Sequence, residues 1–322
     1  MRVPGISWRI RVGTVVAVLL AAAWPGVVAP AAAQTAEVVG TRALGMGGAF
    51  VAVADDPSAV YWNPAGLPRM GIIHLGVDWQ SFETGPETPA FRDPAADGSS
   101  ALVAMTTPPL GVSYLRLRQT TKGSDGLIYS LTTHNVGASL VQSIGERVDV
   151  ATTIRFVHGE ADVTGFSGNG SNGKGSNTVD LDLAAMVMLG RGVQAGVIVR
   201  NLLEPDFDTA ALSLEVTMER QARVGVAWRG ASSTVAVDVD LLETQSVLGP
   251  RRHLAMGGEQ WFANRRLAAR AGFRLNTTEN ALPAGTFGAS VRLTSSIFAD
   301  AQVTRGASDR DRGWGVALRY AY

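Results

Sequence analysis

The 322-residue sequence has no cysteine, so neither a disulfide framework nor a lipid-modified N-terminal cysteine is available to it. Beyond an apolar stretch at Thr14 to Ala23, no run approaches the length of a transmembrane helix, which leaves a soluble, secreted or β-barrel protein. Histidine is scarce: His74, His134, His158 and His253 stand at no metal-ligand spacing, and Gly-x-Ser-x-Gly is absent. The motifs therefore assemble neither a nucleophile and its base nor a metal centre, and the expectation is a non-enzyme without catalytic residues, metal or cofactor.

What is present first is an export pattern. Arg2, Arg9 and Arg11 form a positive region, Thr14 to Ala23 an apolar core, and Ala31-Ala32-Ala33 a small-residue cleavage site, so residues 1–33 read as a removed signal peptide. That segment carries three of the 28 basic residues and none of the 28 acidic ones, leaving a mature net charge of −3. Such a balance gives no reason to expect nucleic acid as a partner.

From Ile72 onward the chain alternates apolar and polar residues in about fourteen short segments. They fall near 72–79, 101–107, 110–118, 133–143, 147–157, 178–189, 192–200, 220–229, 233–241, 252–262, 266–275, 284–293, 296–304 and 312–322. Gaps after the even-numbered segments are tight, as at Pro108-Pro109 and Gly190-Arg191, whereas those after odd-numbered segments are longer. Gaps that alternate in length put strand ends on two sides of a boundary, most simply a membrane. The longer gap from 159 to 177 contains Gly168-x-Gly170-x-x-Gly173. That spelling means dinucleotide binding only between a strand and a helix, and with strands on both sides it reads as a loop.

The alternation defines two faces. Trp314, Val316, Leu318, Tyr320 and Tyr322 share one, and Gly313, Gly315, Ala317, Arg319 and Ala321 the other. Valines at 235, 237 and 239 oppose Asp238 and Asp240, and Val179 and Leu181 oppose Asp180 and Asp182. Arg266, Arg270 and Arg274 form a ladder on the polar side of Leu267 to Leu275. A soluble sandwich shows the same split. Export, the missing disulfides and a last strand ending on Tyr322, after Trp314 and Tyr320, favour a transmembrane barrel. Those three aromatics look like the signal that outer-membrane barrels present to their insertion machinery. Trp79, Trp228, Trp261, Trp314 and Tyr322 suit an interfacial girdle. The polar face, including Asp180, Asp182, Asp238, Asp240, Arg266, Arg270, Arg274 and Arg319, would line the lumen, chiefly as mutual ion pairs.

A lumen of fourteen strands is wider than side chains fill, and the segment before the first strand is the candidate plug. Gly45, Gly47 and Gly48 permit close backbone, Asp56 and Pro57 suggest a capped helix start after Asp55, and Asn63-Pro64-Ala65 ends any helix begun there.

The runs Arg42-Ala43-Leu44-Gly45-Met46-Gly47-Gly48-Ala49-Phe50, Ala54-Asp55-Asp56-Pro57-Ser58-Ala59 and Trp62-Asn63-Pro64-Ala65-Gly66-Leu67 resemble the N-terminal hatch of FadL-like outer-membrane proteins, above all the PorV/PorQ branch. The resemblance implies a 14-stranded barrel with its N-terminus folded into the lumen. It implies either passage of hydrophobic compounds, as in the fatty-acid transporters, or a part in protein secretion beside an exported partner, as in the PorV branch.

The sequence is thus read as an all-β, transmembrane antiparallel β-barrel of the bacterial outer membrane, with a signal peptide at 1–33, a hatch at 34–70 and the barrel at 71–322. Its expected partners are outer-membrane lipid, the barrel-insertion machinery and a hydrophobic small molecule or an exported protein. Passive transport is the leading function, and a PorV-like assembly role the alternative.

Overall fold

The computed structural model describes residues 38–84, 95–122, 128–164, 170–171, 175–209, 214–246, 249–278, 283–307 and 312–322. The signal-peptide segment and most of the Gly168 to Gly173 loop lie outside them.

Among the described residues, fourteen antiparallel strands form the wall. They are β1 His74–Thr84, β2 Ala95–Thr107, β3 Leu110–Lys122, β4 Ile128–Ile144, β5 Val148–Thr164, β6 Ser176–Gly190 and β7 Val193–Arg200. There follow β8 Gln221–Arg229, β9 Ser233–Asp240, β10 His253–Phe262, β11 Leu267–Asn276, β12 Pro283–Arg292, β13 Ile297–Gly306 and β14 Arg312–Ala321. Each pairs with its sequence neighbours, and β1 pairs with β14 from His74↔Ala321 to Glu83↔Arg312. Closure leaves the wall no free edge, which lets polar backbone stand in hydrocarbon.

The strands follow the alternation closely but run further at one end. β2 starts at Ala95, β3 reaches Lys122, and β4 and β5 span Ile128–Ile144 and Val148–Thr164. All these extensions point toward the long gaps. They escape the period-2 pattern because residues such as Ser99, Arg118, Thr120 and Thr132 are polar on the outer face as well.

The barrel is inside-out relative to a soluble protein. Val77, Val136, Val235, Val316 and Leu318 are exposed, whereas Asp78, Asp180, Asp238, Glu259, Arg270 and Asp300 are buried. The apolar core instead lies within the lumen and belongs to residues 38–67. Trp62, Phe50, Met46 and Leu67 are its largest side chains, packed on wall alanines at 151, 184, 227, 236 and 255. Burying a side chain of that size contributes about 1.5–3 kcal/mol.

This inner segment is irregular, with α1 Thr41–Gly45, α2 Ala59–Trp62 and a 3-10 turn Pro64–Arg69. Asp56 does not cap the helix as its spacing suggests. Its carboxylate accepts from the Ser58 amide (2.9 Å) and hydroxyl (2.6 Å), so Pro57 lies in a turn and α2 begins two residues later. Asn63 is extended, ends α2, and accepts the Ala65 amide at 3.0 Å to start the 3-10 turn.

Candidate functional site

An irregular segment cannot satisfy its own backbone, and a buried amide without a partner is costly. Here the barrel wall supplies the partners. Asp238 of β9 accepts the Phe50 and Val51 amides at 2.7 and 2.8 Å. Gln194 of β7 donates to the Ala52 carbonyl at 2.5 Å, and Thr286 of β12 accepts the Gly47 amide at 2.9 Å. Asp78 of β1 accepts the Thr41 amide and hydroxyl at 2.6 and 2.7 Å. From within the segment, Asn63 donates to Val51 (2.9 Å) and across to the Ala185 carbonyl of β6 (3.1 Å).

Glycines in the wall let the backbones meet. A Cβ at Gly257 would lie 2.2 Å from the Met46 carbonyl oxygen, and one at Gly272 would lie 2.2 Å from the Gly47 nitrogen. Any side chain at either position would push the inner segment off the wall. Gly47 and Gly48 take φ of 71° and 84° at this contact, the left-handed region that suits glycine.

Toward the tight-turn end the contacts are ionic. Arg42 of α1 grips Glu259 of β10 through Nε–Oε2 at 2.7 Å and Nη2–Oε1 at 2.8 Å. It also meets Asp55, whose other oxygen takes Arg229 at 2.7 Å. Glu259 accepts Arg270 Nε at 2.7 Å, and Asp300 joins Arg270 to Arg319. Trp261 donates its indole N–H to Glu259 at 2.9 Å and stacks edge-on against Phe298. Arg69 of the 3-10 turn pairs with Asp149 of β5 at 2.6 Å. In this group burial works against the charge on Arg42, but the Asp55 and Glu259 carboxylates outweigh it and hold its pKa well above the ordinary value. Burial likewise resists ionisation of Asp55, yet the Arg42 and Arg229 guanidiniums hold its pKa below the usual carboxylate range.

Toward the long-gap end Arg155 of β5 joins Asp180 and Asp182 of β6 and the side-chain amide oxygen of Asn201. Arg223 of β8 donates to Asp240 of β9 at 2.5 Å. A cavity of only about 30 Å³ lies beside this last pair, the space of a water molecule and far too little for an organic cargo.

The residues singled out in sequence thus fall into distinct places. Gly45, Gly47, Gly48, Asp55, Asp56, Pro57, Asn63, Pro64 and Ala65 all sit within the barrel. Asp180, Asp182, Asp238, Asp240, Arg270, Arg274 and Arg319 are on the inward side of their strands, but Arg266 is not part of their ladder. It is exposed in the turn before β11, because Ala263, Asn264 and Arg265 adopt φ of 49°, 54° and 61° and delay the strand to Leu267. Trp261 leaves the expected outer girdle as well, since it shares the lumen face with Glu259. Trp79, Trp228, Trp314 and Tyr322 are outward and exposed. Tyr320 is outward and half-buried. Sequence reasoning assigns no such part to Arg42, Glu259, Gln194 or Asp78. Glu259 is nonetheless readable, since period 2 puts it on one face with Ala255, Gly257 and Trp261.

Among solved structures the barrel superposes on the CymD monoaromatic hydrocarbon channel with a TM-score of 0.65 at 11% identity, covering 88% of this chain and 97% of that one. A Pseudomonas aeruginosa FadL homologue gives a TM-score of 0.62 at 11% identity over 92% of this chain and 100% of that one. The Pseudomonas putida toluene transporter TodX gives 0.62 at 11% identity over 89% and 98%. These likenesses establish the fold, that of a closed antiparallel β-barrel. A protein family described as F plasmid transfer operon, TraF, protein matches residues 143–240, from the end of β4 to β9. No curated protein matches the sequence.

Proposed function

We propose that this protein is a non-enzymatic outer-membrane barrel that passes a hydrophobic or amphipathic small molecule when its N-terminal plug moves. The observation that carries the reading is the way the plug is held. Every described contact between residues 38–70 and the wall is non-covalent, and the polar ones concentrate in the Arg42, Asp55 and Glu259 cluster and in the Asp78 and Asp238 clamps. Such contacts exchange for water without breaking a bond. An apolar outer face suits lipid, and the FadL-like architecture is shared with a protein titled a toluene transporter and another titled a monoaromatic hydrocarbon channel. On this reading the tight turns face the periplasm and the long gaps face outward, and residues 1–33 are an export signal.

A second reading rests on the same plug. The cavity of about 30 Å³ beside Arg223 and Asp240 admits no organic molecule, and a barrel that stays plugged suits a scaffold for a protein partner. The N-terminal motif, taken as that of the PorV/PorQ branch, fits such a role.

Refolded mature protein in planar bilayers and liposomes separates the two, compared with a variant lacking residues 36–70. A tight wild type with a conducting deletion supports a displaceable plug, and uptake assays with apolar solutes then name the cargo. If neither conducts, transport is overturned, and co-purification in mild detergent tests the scaffold.

A further inference from the structure

The outer face of β1–β6 changes its chemistry between two adjacent cross-strand rows. One row runs Val77, Val103, Tyr114, Val136, Phe156 and Val179, each the register partner of the next, and all six are exposed and mainly apolar. The next row toward the long gaps runs Trp79, Ala101, Arg116, His134, His158 and Asn177. One level higher stand Ser81, Ser99, Arg118, Thr132 and Glu160. Acyl chains and headgroups divide at such a step, apolar below and polar above.

Within that step, β3 presents Arg116 and Arg118 at successive outward positions, and neither has an ion-pair or hydrogen-bond partner among the described residues. Their neighbours on β2, Ala101 and Ser99, are small, and beyond these stands the Trp79 indole, 43% exposed. The result is a low floor between an aromatic wall and two guanidiniums. Nearby acids are already engaged: Glu160 meets His158 at 3.2 Å, and Asp97 and Asp162 each have partners of their own. His134 is held at 2.7 Å by the Tyr114 hydroxyl.

We propose that Arg116 and Arg118, with Trp79 across the Ala101 and Ser99 floor, bind the phosphate of an anionic glycolipid in the outer leaflet. Three features select this occupant. The floor continues directly into the lipid-facing row, so a ligand with acyl chains reaches it from the membrane. Planar guanidiniums suit phosphate oxygens in two-point hydrogen bonds. An indole at a membrane boundary presents an apolar body to a sugar face while staying in the interface. The inference rests on the outer-membrane reading and on the long gaps facing outward.

The test uses the folded full-length protein in detergent, titrated with lipid A, with its dephosphorylated form and with phosphatidylglycerol, and read by native mass spectrometry. Lipid A is expected to bind, and R116S/R118S to weaken it about thirtyfold, about fivefold for each arginine near a charged surface. A101F, which fills the floor without removing a charge, is expected to weaken it too. The proposal is overturned if either variant binds lipid A as tightly as wild type, if the dephosphorylated form or phosphatidylglycerol binds equally well, or if inorganic phosphate alone displaces the lipid. Heat-modifiable gel mobility read alongside keeps the two levels apart. A wild type without it counts against the barrel itself, whereas a heat-modifiable protein that ignores lipid A counts against the site alone.

Discussion

Arg42 and Glu259, separated by 217 positions in sequence, form a two-point ion pair inside the barrel at 2.7 and 2.8 Å. It joins the plug to β10, and both side chains are almost fully buried.

Removing one partner leaves the other with its second counter-charge, Asp55 for Arg42 or Arg270 for Glu259, but puts the buried network one charge out of balance. R42M or E259Q alone is expected to destabilise plug seating by about 3–5 kcal/mol, and R42M/E259M to recover part of that loss. Bilayer conductance checks it: single variants should open intermittently, and the double variant less often. Equal tightness in all three would show that the pair contributes nothing to closure.

The glycine contacts predict a steric effect that depends on position. G272A puts a methyl 2.2 Å from the Gly47 nitrogen, whereas G258A meets nothing nearer than the Thr234 oxygen at 3.5 Å. G272A should cost about 1–3 kcal/mol or more, and G258A close to nothing. Urea midpoints of the folded barrel in detergent measure both.

Asp55 gives a pH dependence of defined sign. Burial raises its pKa, but Arg42 and Arg229 lower it further, below the ordinary 3.8. A depressed folded pKa means that its stabilisation is complete above about pH 4 and disappears as pH falls through the folded value. D55N should therefore leak at neutral pH, and wild type should approach D55N only in acid below pH 4. Conductance recorded from pH 7 to pH 3 for both proteins would decide, and convergence already at pH 6 would contradict the assignment.

The outward apolar band predicts a cost for charge. V316R places a guanidinium on the lipid-facing side of β14, at a position 47% exposed, and should cost about 2–4 kcal/mol if it lies near the bilayer midplane. Folding yield into vesicles, with the rim substitution R252K for comparison, is the readout.

Sequence and structure agree where one physical rule governs. Fourteen strands are visible in the sequence because every second side chain faces lipid, and the tight turns because glycine, proline and asparagine cluster there. The rule fails at its margins. Above the apolar band the outer faces of β2 to β5 carry polar residues such as Ser99, Arg118, Thr120 and Thr132, so their extra length leaves little periodic trace. Arg266 fits the arithmetic of a lumenal ladder, but the left-handed run at 263–265 moves it out. Glu259 stays inconspicuous because its importance comes from Arg42, and a contact across 217 positions has no local signature.

The contact glycines also define what would remain if the plug withdrew. At Gly257 and Gly272 the vacated wall would present Cα atoms and sheet-bonded peptide groups in place of side chains. A passage through that level would be bordered there by a smooth, uncharged waist, while Glu259, Arg270 and Asp300 would form a charged collar nearer the tight turns. Selection by charge would then take place at the collar, and selection by cross-section at the waist.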